Sequence, residues 1–414
     1  MFTRLKKLDV FSRNIIIVFS GSCLVNFFNL LYQLIIAHRL TAIEFASFNS
    51  LLAVFMLVTT PFGTLQMALT KYIAGFNARG EPTKIKFLIS DLSRKVIFLS
   101  VGFLFIFLLF GQQLTNLLKI PASASGYVLA FLIASTLPVQ VFTGAIQGLE
   151  LFISLAGVSV ASGLLKLALS VAFIALGYGV AGALGAFLLA NLCAIVILYY
   201  PLRNFFSCRS TQNAEVNYKE IIVFLFPVAL SYFCWIAMVS LDMILVKYFF
   251  SLSDAGIYSL AQMVGKIFLF LPGAISVVLF PKTSGLSAKK LDTSAVLKKS
   301  LYYCILLGIP AVIIYNLLPG LILQVLTGKA GAEAIFLGRL FSISMSLFAA
   351  LYIIVAYFLS IKDFRFIKYL VCGTLAQFSA ILLLHASLTQ VQVILCVNSA
   401  LLLGVHLFLA FRRK

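Results

Sequence analysis

Charged residues are nearly missing from long stretches of this chain, and that constrains its fold more than any motif does. A helix needs about 20 apolar residues to cross the hydrocarbon core of a bilayer, roughly 30 Å thick. Twelve segments meet that requirement, at roughly 14–37, 44–69, 96–118, 124–147, 151–176, 180–202, 221–249, 255–280, 301–325, 332–360, 367–386 and 389–411. Inside lipid every backbone N–H and C=O must be satisfied by the segment itself or by a closed barrel. The runs lack the alternation of a barrel strand, so they are expected to be helices. Hydrophobic residues make up 62% of the 414 positions and charged residues only 10%, far from the composition of a soluble domain. The first run follows Arg13 with no small-residue cleavage site after it, which predicts a retained spanning helix.

The net charge of +19 raises the question of a polyanionic partner, but its distribution answers it. With the N-terminus placed inside, 24 of the 31 basic residues fall on the cytoplasmic side. Four fall on the outer side, Arg39, Lys119, Lys247 and Lys329, and three remain in the spans, Lys166, Lys266 and Arg339. This is the positive-inside pattern, with both termini cytoplasmic and an even helix number. It predicts a multi-pass protein of the plasma (inner) membrane with no nucleic-acid partner. The seven cysteines have no metal-ligand spacing and suit small apolar packing roles.

The chain also resembles itself. Residues 40–52, LTAIEFASFNSLL, lie over 250–262, FSLSDAGIYSLAQ, with Thr41 over Ser251 and Glu44 over Asp254. After a one-residue slip Pro61 lies over Pro272 and Lys71 over Lys282, and GLELF at 148–152 corresponds more weakly to SIKDF at 360–364. An even number of helices per copy gives both copies the same orientation. The expected fold is all-α, with 12 transmembrane helices in two parallel six-helix repeats: a bundle at 1–205, a cytoplasmic linker at 206–220 and a bundle at 221–414. Parallel repeats of this kind are typical of transporters, with the substrate site near the midplane.

The run DMILVKYFFSLSDAGIYSLAQMVGKIFLFLPGAISVVLFPK resembles the helix 7 and 8 hairpin of bacterial polysaccharide transporters. These are the O-antigen and capsule repeat-unit flippases of the multidrug/oligosaccharidyl-lipid/polysaccharide exporter superfamily. The first half agrees, in its acidic outer turn, the proline of helix 2 and GAIQGLELF closing helix 4. It departs in having Glu150 and Leu151 where the family often carries a basic residue. The resemblance implies a V-shaped, alternating-access transporter that moves an undecaprenyl-pyrophosphate-linked oligosaccharide between leaflets. Membrane lipids surround it, and a polysaccharide polymerase is a candidate partner.

The anionic head of such a substrate needs fixed cations in a wet groove. Lys266, near the midplane of its helix, is the first candidate; Lys166 and Arg339 follow, with snorkelling to the outer interface as the competing account of Arg339. Asn26, Asn29 and Gln33 share one helix face and suit either sugar contacts or interhelical hydrogen bonds. Asp242, the one acid expected within the spans, can pair with Lys266 or carry a coupled H⁺ or Na⁺. Pro61 and Pro272 are hinge candidates, because proline removes a helical donor.

No Walker A, dinucleotide-binding glycine set, HExxH or nucleophile elbow occurs. The chain is therefore expected to be neither an enzyme nor an ATP-driven pump, with no cofactor, metal or catalytic residue. A cation antiporter of the multidrug and toxin extrusion type is the alternative. It calls for a net acidic cavity, against which stand three basic residues to one acid.

Overall fold

The structure is a computed structural model describing residues 10–120, 123–206 and 218–412. Most of the expected linker, 207–217, lies outside these residues, as does the side chain of Pro272. Everything described is helix or short connection. The helices are α1 Val10–Arg39, α2 Ala42–Ala78, α3 Pro82–Leu117, α4 Ser123–Gly148, α5 Phe152–Ala175, α6 Gly179–Phe206, α7 Tyr218–Phe249, α8 Leu252–Phe268, α9 Phe270–Ala288, α10 Ser294–Leu317, α11 Pro319–Thr327, α12 Ala332–Ser360, α13 Ile367–Leu383 and α14 Leu388–Phe411. Ten of the helices among the described residues are long and apolar enough to cross a membrane. This is a multi-pass, all-helical membrane protein.

Two of the expected spans are divided, and proline accounts for both divisions. The 255–280 segment is broken at Leu269 into α8 and α9. Pro272 supplies no N–H for the carbonyl of Phe268, four residues earlier, and α8 ends at Phe268. The 301–325 segment is divided at Leu318, where Pro319 opens α11 from its first helical position, the site a proline suits best. Pro61, in contrast, sits within an unbroken α2.

Two compact units make up the chain. The first comprises residues up to Arg39 and Val58–Leu225; the second comprises Leu40–Leu57 and the residues from Phe226 onward. The division of α2 falls after Leu57, whose carbonyl faces the missing N–H of Pro61.

In the first unit α4 packs on α3 and α6, and α5 packs on α1 and α6. Glycines permit the closest approaches. A Cβ on Gly144 would meet the Gln66 carbonyl of α2 at 2.8 Å, and one on Gly148 would meet Ile73 Cβ at 2.7 Å. The GAIQG run is thus a small-xxx-small face that lets α4 lie against α2. In the second unit α12 is central, packing on α8, α9, α10 and α14. Its Phe341 and Met345 fill the space left by Gly265 of α8.

Local geometry follows the sequence repeat. Thr41 and Glu44 form a capping box: Thr41 N–H and Oγ1 donate to Glu44 Oε2 at 2.9 and 2.8 Å, and Glu44 N–H donates to Thr41 Oγ1 at 3.3 Å. At the start of α8, Asp254 N–H donates to Ser251 Oγ at 3.1 Å and Ser251 Oγ donates to Asp254 Oδ2 at 2.8 Å. Helix ends recur too. Left-handed residues close α2 at Gly80 and α9 at Lys290, and close α4 at Glu150 and α12 at Lys362; the members of each pair lie about 210 residues apart. Each is followed by the same six-to-one hydrogen bond, from Glu81 to Phe76 O, Leu291 to Leu286 O, Leu151 to Ile146 O and Asp363 to Phe358 O, all at 3.0 Å.

Candidate substrate-binding site

Polar side chains expected to serve the substrate fall into two clusters, one in each unit. In the first unit, Lys166 of α5 lines a cavity of about 280 Å³ together with Asn29 of α1, Thr143 of α4, Ser162 of α5, and Phe187 and Asn191 of α6. Lys166 Nζ donates to Asn29 Oδ1. The ammonium also lies 4.6 Å from the ring centroid of Tyr32 and 4.6 Å from that of Phe187, a cation held between two aromatic faces. Tyr32 is fixed by its hydroxyl, which donates to the Ala183 carbonyl at 2.8 Å. Asn191 Nδ2 donates to Thr136 Oγ1 at 3.2 Å and Ser135 Oγ at 3.4 Å.

Of the helix 1 stripe, the structure brings Asn29 to Lys166, leaves Asn26 exposed and half-buries Gln33. The three residues share a face, and one of them joins the lysine.

The second unit holds a buried network around Asp242 of α7. Tyr258 and Gln262, one turn apart on α8, both reach it. Tyr258 Oη donates to Asp242 Oδ2 at 2.7 Å, and Gln262 Nε2 lies 3.1 and 3.0 Å from Oδ1 and Oδ2. Gln392 of α14 places its Oε1 3.5 Å from the Tyr258 hydroxyl and donates from Nε2 to Ser344 Oγ of α12 at 2.8 Å. Asp242, Tyr258, Gln262, Ser344 and Gln392 are all fully buried. The sequence singled out Asp242, but it did not show that Tyr258, Gln392 and Ser344 complete the network. Their signal was only that polar residues sit in apolar spans.

The expected pairing of Asp242 with Lys266 takes a different form. Lys266 is half-buried and its charge acts on Asp242 through space. The ion pairs within 4.0 Å among the described residues are Arg79–Glu81, Lys84–Glu81, Lys95–Asp91 and Arg365–Asp363, none of which involves Lys266, Lys166 or Arg339. The physical reason is that Tyr258 and Gln262 precede Lys266 on α8 and already occupy the carboxylate. Arg339 is exposed on α12 near Tyr315. Lys247, expected among the outer charges, is instead fully buried. Among the described residues no cluster of His, Cys, Asp and Glu could hold a metal ion.

An all-helical chain with many apolar spans and lysines and a carboxylate embedded in them has the build of a membrane transporter. The family model for the polysaccharide biosynthesis proteins matches residues 11–287, and the chain belongs to that family. Its fold is similar to that of an inward-facing multidrug resistance MATE family transporter of the MOP superfamily, with a TM-score of 0.75 at 15% identity over 94% of each chain. It is similar too to the lipid II flippase MurJ in its inward closed conformation, with a TM-score of 0.71 at 14% identity over 96% of this chain and 87% of that one. A MOP superfamily transporter from Pyrococcus furiosus Vc1, described as having a binding pocket of reversed polarity, gives a TM-score of 0.63 at 15% identity over 96% and 94% of the two chains. No curated protein matches the sequence. The chain is thus a polysaccharide biosynthesis family protein whose fold is that of these transporters.

Proposed function

We propose that the chain is a flippase that moves an undecaprenyl-pyrophosphate-linked oligosaccharide, a repeat unit of a surface polysaccharide, from the cytoplasmic to the outer leaflet of the plasma membrane. In this reading both termini are cytoplasmic and 12 helices form two parallel six-helix bundles, 1–205 and 221–414, that open alternately to either side. The recurrence of capping boxes and left-handed helix ends at corresponding positions supports the repeat. The family match supports a polysaccharide substrate, and a polysaccharide polymerase is the natural consumer of the product.

The observation that carries the reading is the sign of the embedded charge. Lys166 and Lys266 are half-buried within apolar helices; among the described residues neither has a carboxylate within ion-pair distance, Lys266 meeting Asp242 only through space and Lys166 no acid at all. A cation left in that setting without a counter-ion is costly unless an anionic ligand comes to it. A pyrophosphate head is such a ligand. Arg339, with its planar fork, suits a phosphate at the outer end of the path. Asn26, Asn29 and Gln33 offer amides to sugar hydroxyls. Asp242 is the residue assigned to a coupled H⁺ or Na⁺, and Pro61 and Pro272 are the hinges. The break at Leu269, three residues before Pro272, supports the second hinge, and the boundary between the two units within the unbroken α2, four residues before Pro61, supports the first.

The test is transport of a labelled undecaprenyl-linked oligosaccharide across proteoliposomes holding the purified protein. Lys266→Ala is expected to abolish transport while the protein stays folded, and Lys266→Arg to retain part of it. Wild-type rates in the alanine variant would exclude a substrate role for Lys266.

A further inference from the structure

The cavity of the first unit does more than offer one positive charge. It is an open cavity of about 280 Å³, able to seat one sugar ring with its hydroxyls while the rest of a larger head extends beyond its mouth. Its polar lining comes from Lys166, Asn29, Thr143, Ser159, Ser162 and Asn191. Lys166 Nζ has three N–H donors, of which one goes to Asn29. The others have aromatic faces beside them and no carboxylate within ion-pair distance. Ser162 Oγ is buried and, among the described residues, has no hydrogen-bond partner. An orphaned hydroxyl in a membrane-embedded wall is costly unless a ligand or water meets it.

Among the described residues no aspartate or glutamate lines the cavity, so the charge its lining supplies is positive. Phe187, in the wall, has its ring against the Lys166 ammonium and holds it at the cavity. Val158 and Leu198 make the remainder apolar. A bare phosphate would satisfy Lys166 but leave most of this space and the Ser162 hydroxyl unused; a neutral sugar would fill the space and leave the ammonium without a counter-ion.

We infer that the cavity bounded by Lys166, Asn29, Ser162, Phe187 and Asn191 is a subsite for one acid-bearing sugar residue of the transported head, its carboxylate or phosphate group on Lys166. The inference rests on the flippase reading and sharpens it: the repeat unit contains an acidic sugar, and the first unit recognises that sugar apart from the pyrophosphate.

The experiment is binding of glucuronate, glucose 6-phosphate, glucose and inorganic phosphate to the purified full chain in lipid nanodiscs, by titration calorimetry. Both acidic sugars, or one of them, should bind about tenfold or more tighter than glucose and than inorganic phosphate, the worth of one charge-assisted hydrogen bond. Which of the two binds tells carboxylate from phosphate. Lys166→Met should erase the preference for acid, and Ser162→Val should weaken acidic sugar binding several-fold while the preference stays. Equal binding of glucose and glucuronate, or inorganic phosphate binding as well as an acidic sugar, overturns the subsite. So does a preference that survives in Lys166→Met. The wild-type comparison decides the matter even should that variant fail to fold. Transport of the lipid-linked substrate, measured in parallel, separates the two ideas: normal transport with no acidic preference rejects the subsite alone, whereas an acidic preference without any lipid-linked transport rejects the flippase reading and leaves the sugar site.

Discussion

Tyr258 donates its hydroxyl proton to Asp242 Oδ2 across 2.7 Å, and neither side chain has any contact with solvent. With Gln262 on the same carboxylate, the acid is held by neutral donors of α8, and Lys266 one turn further along leaves its ammonium outside the network. The two charges therefore serve separable purposes, and removing each should have a different consequence.

Tyr258→Phe removes one donor from a buried carboxylate and should lower stability by about 1–3 kcal/mol. Lys266→Met breaks no hydrogen bond or ion pair and should cost less, while transport falls. Thermal unfolding of the detergent-solubilised variants checks the ordering; equal losses would mean that Lys266 is as structural as Tyr258.

Asp242→Asn keeps the shape of the side chain and its place beside Gln262 but cannot bind a proton or pair with Na⁺. Transport in vesicles should lose its dependence on an imposed pH or Na⁺ gradient, with residual downhill movement. An unchanged gradient dependence assigns coupling elsewhere.

Gly148→Ala places a Cβ 2.7 Å from Ile73 Cβ and 3.0 Å from the Thr70 carbonyl, so α4 and α2 must separate. The expected cost is about 1–3 kcal/mol. Gly157→Ala, with nothing within 4 Å of the added atom, should be neutral or stabilising by up to about 1 kcal/mol through helix propensity. Unfolding temperatures of the pair provide the contrast.

Asp292, in the turn before α10, accepts from Ser294 N–H at 2.8 Å and from Ser294 Oγ at 2.7 Å. These bonds hold its carboxyl below the ordinary aspartate value. Because the folded form is the stronger acid, the cap's contribution is present above about pH 3.9 and is lost as pH falls through the lower folded value. The protection factor of the Ser294 amide, its exchange rate taken relative to the intrinsic rate at each pH, should fall on acidification across that range in the wild type, and that fall should be absent in Asp292→Asn.

Helix content, membrane insertion and the helix caps were legible in the sequence because each rests on local chemistry: twenty apolar residues, a Thr or Ser three residues before an acid, a proline without its N–H. The capping boxes at Thr41 and Ser251 are written in four residues each. The site was legible only in part. Lys166 and Asn29 stood out one at a time, as polar residues in apolar spans, but 137 positions separate them and nothing local links them. Lys247 reads as an outer charge by its place near a helix end and is buried by what packs around it.

The sequence by itself determined that the chain is a bundle of membrane helices with basic residues embedded in them, since hydrophobic length and backbone hydrogen bonding leave a lipid-embedded chain few alternatives. Tertiary structure alone decided which neutral groups meet each charge: Tyr258 and Gln262 for Asp242, and Asn29 with two aromatic rings for Lys166. The partners of Asp242 come from the next helix, Asn29 and Tyr32 reach Lys166 from a helix far away in the chain, and only packing brings either set to its charge.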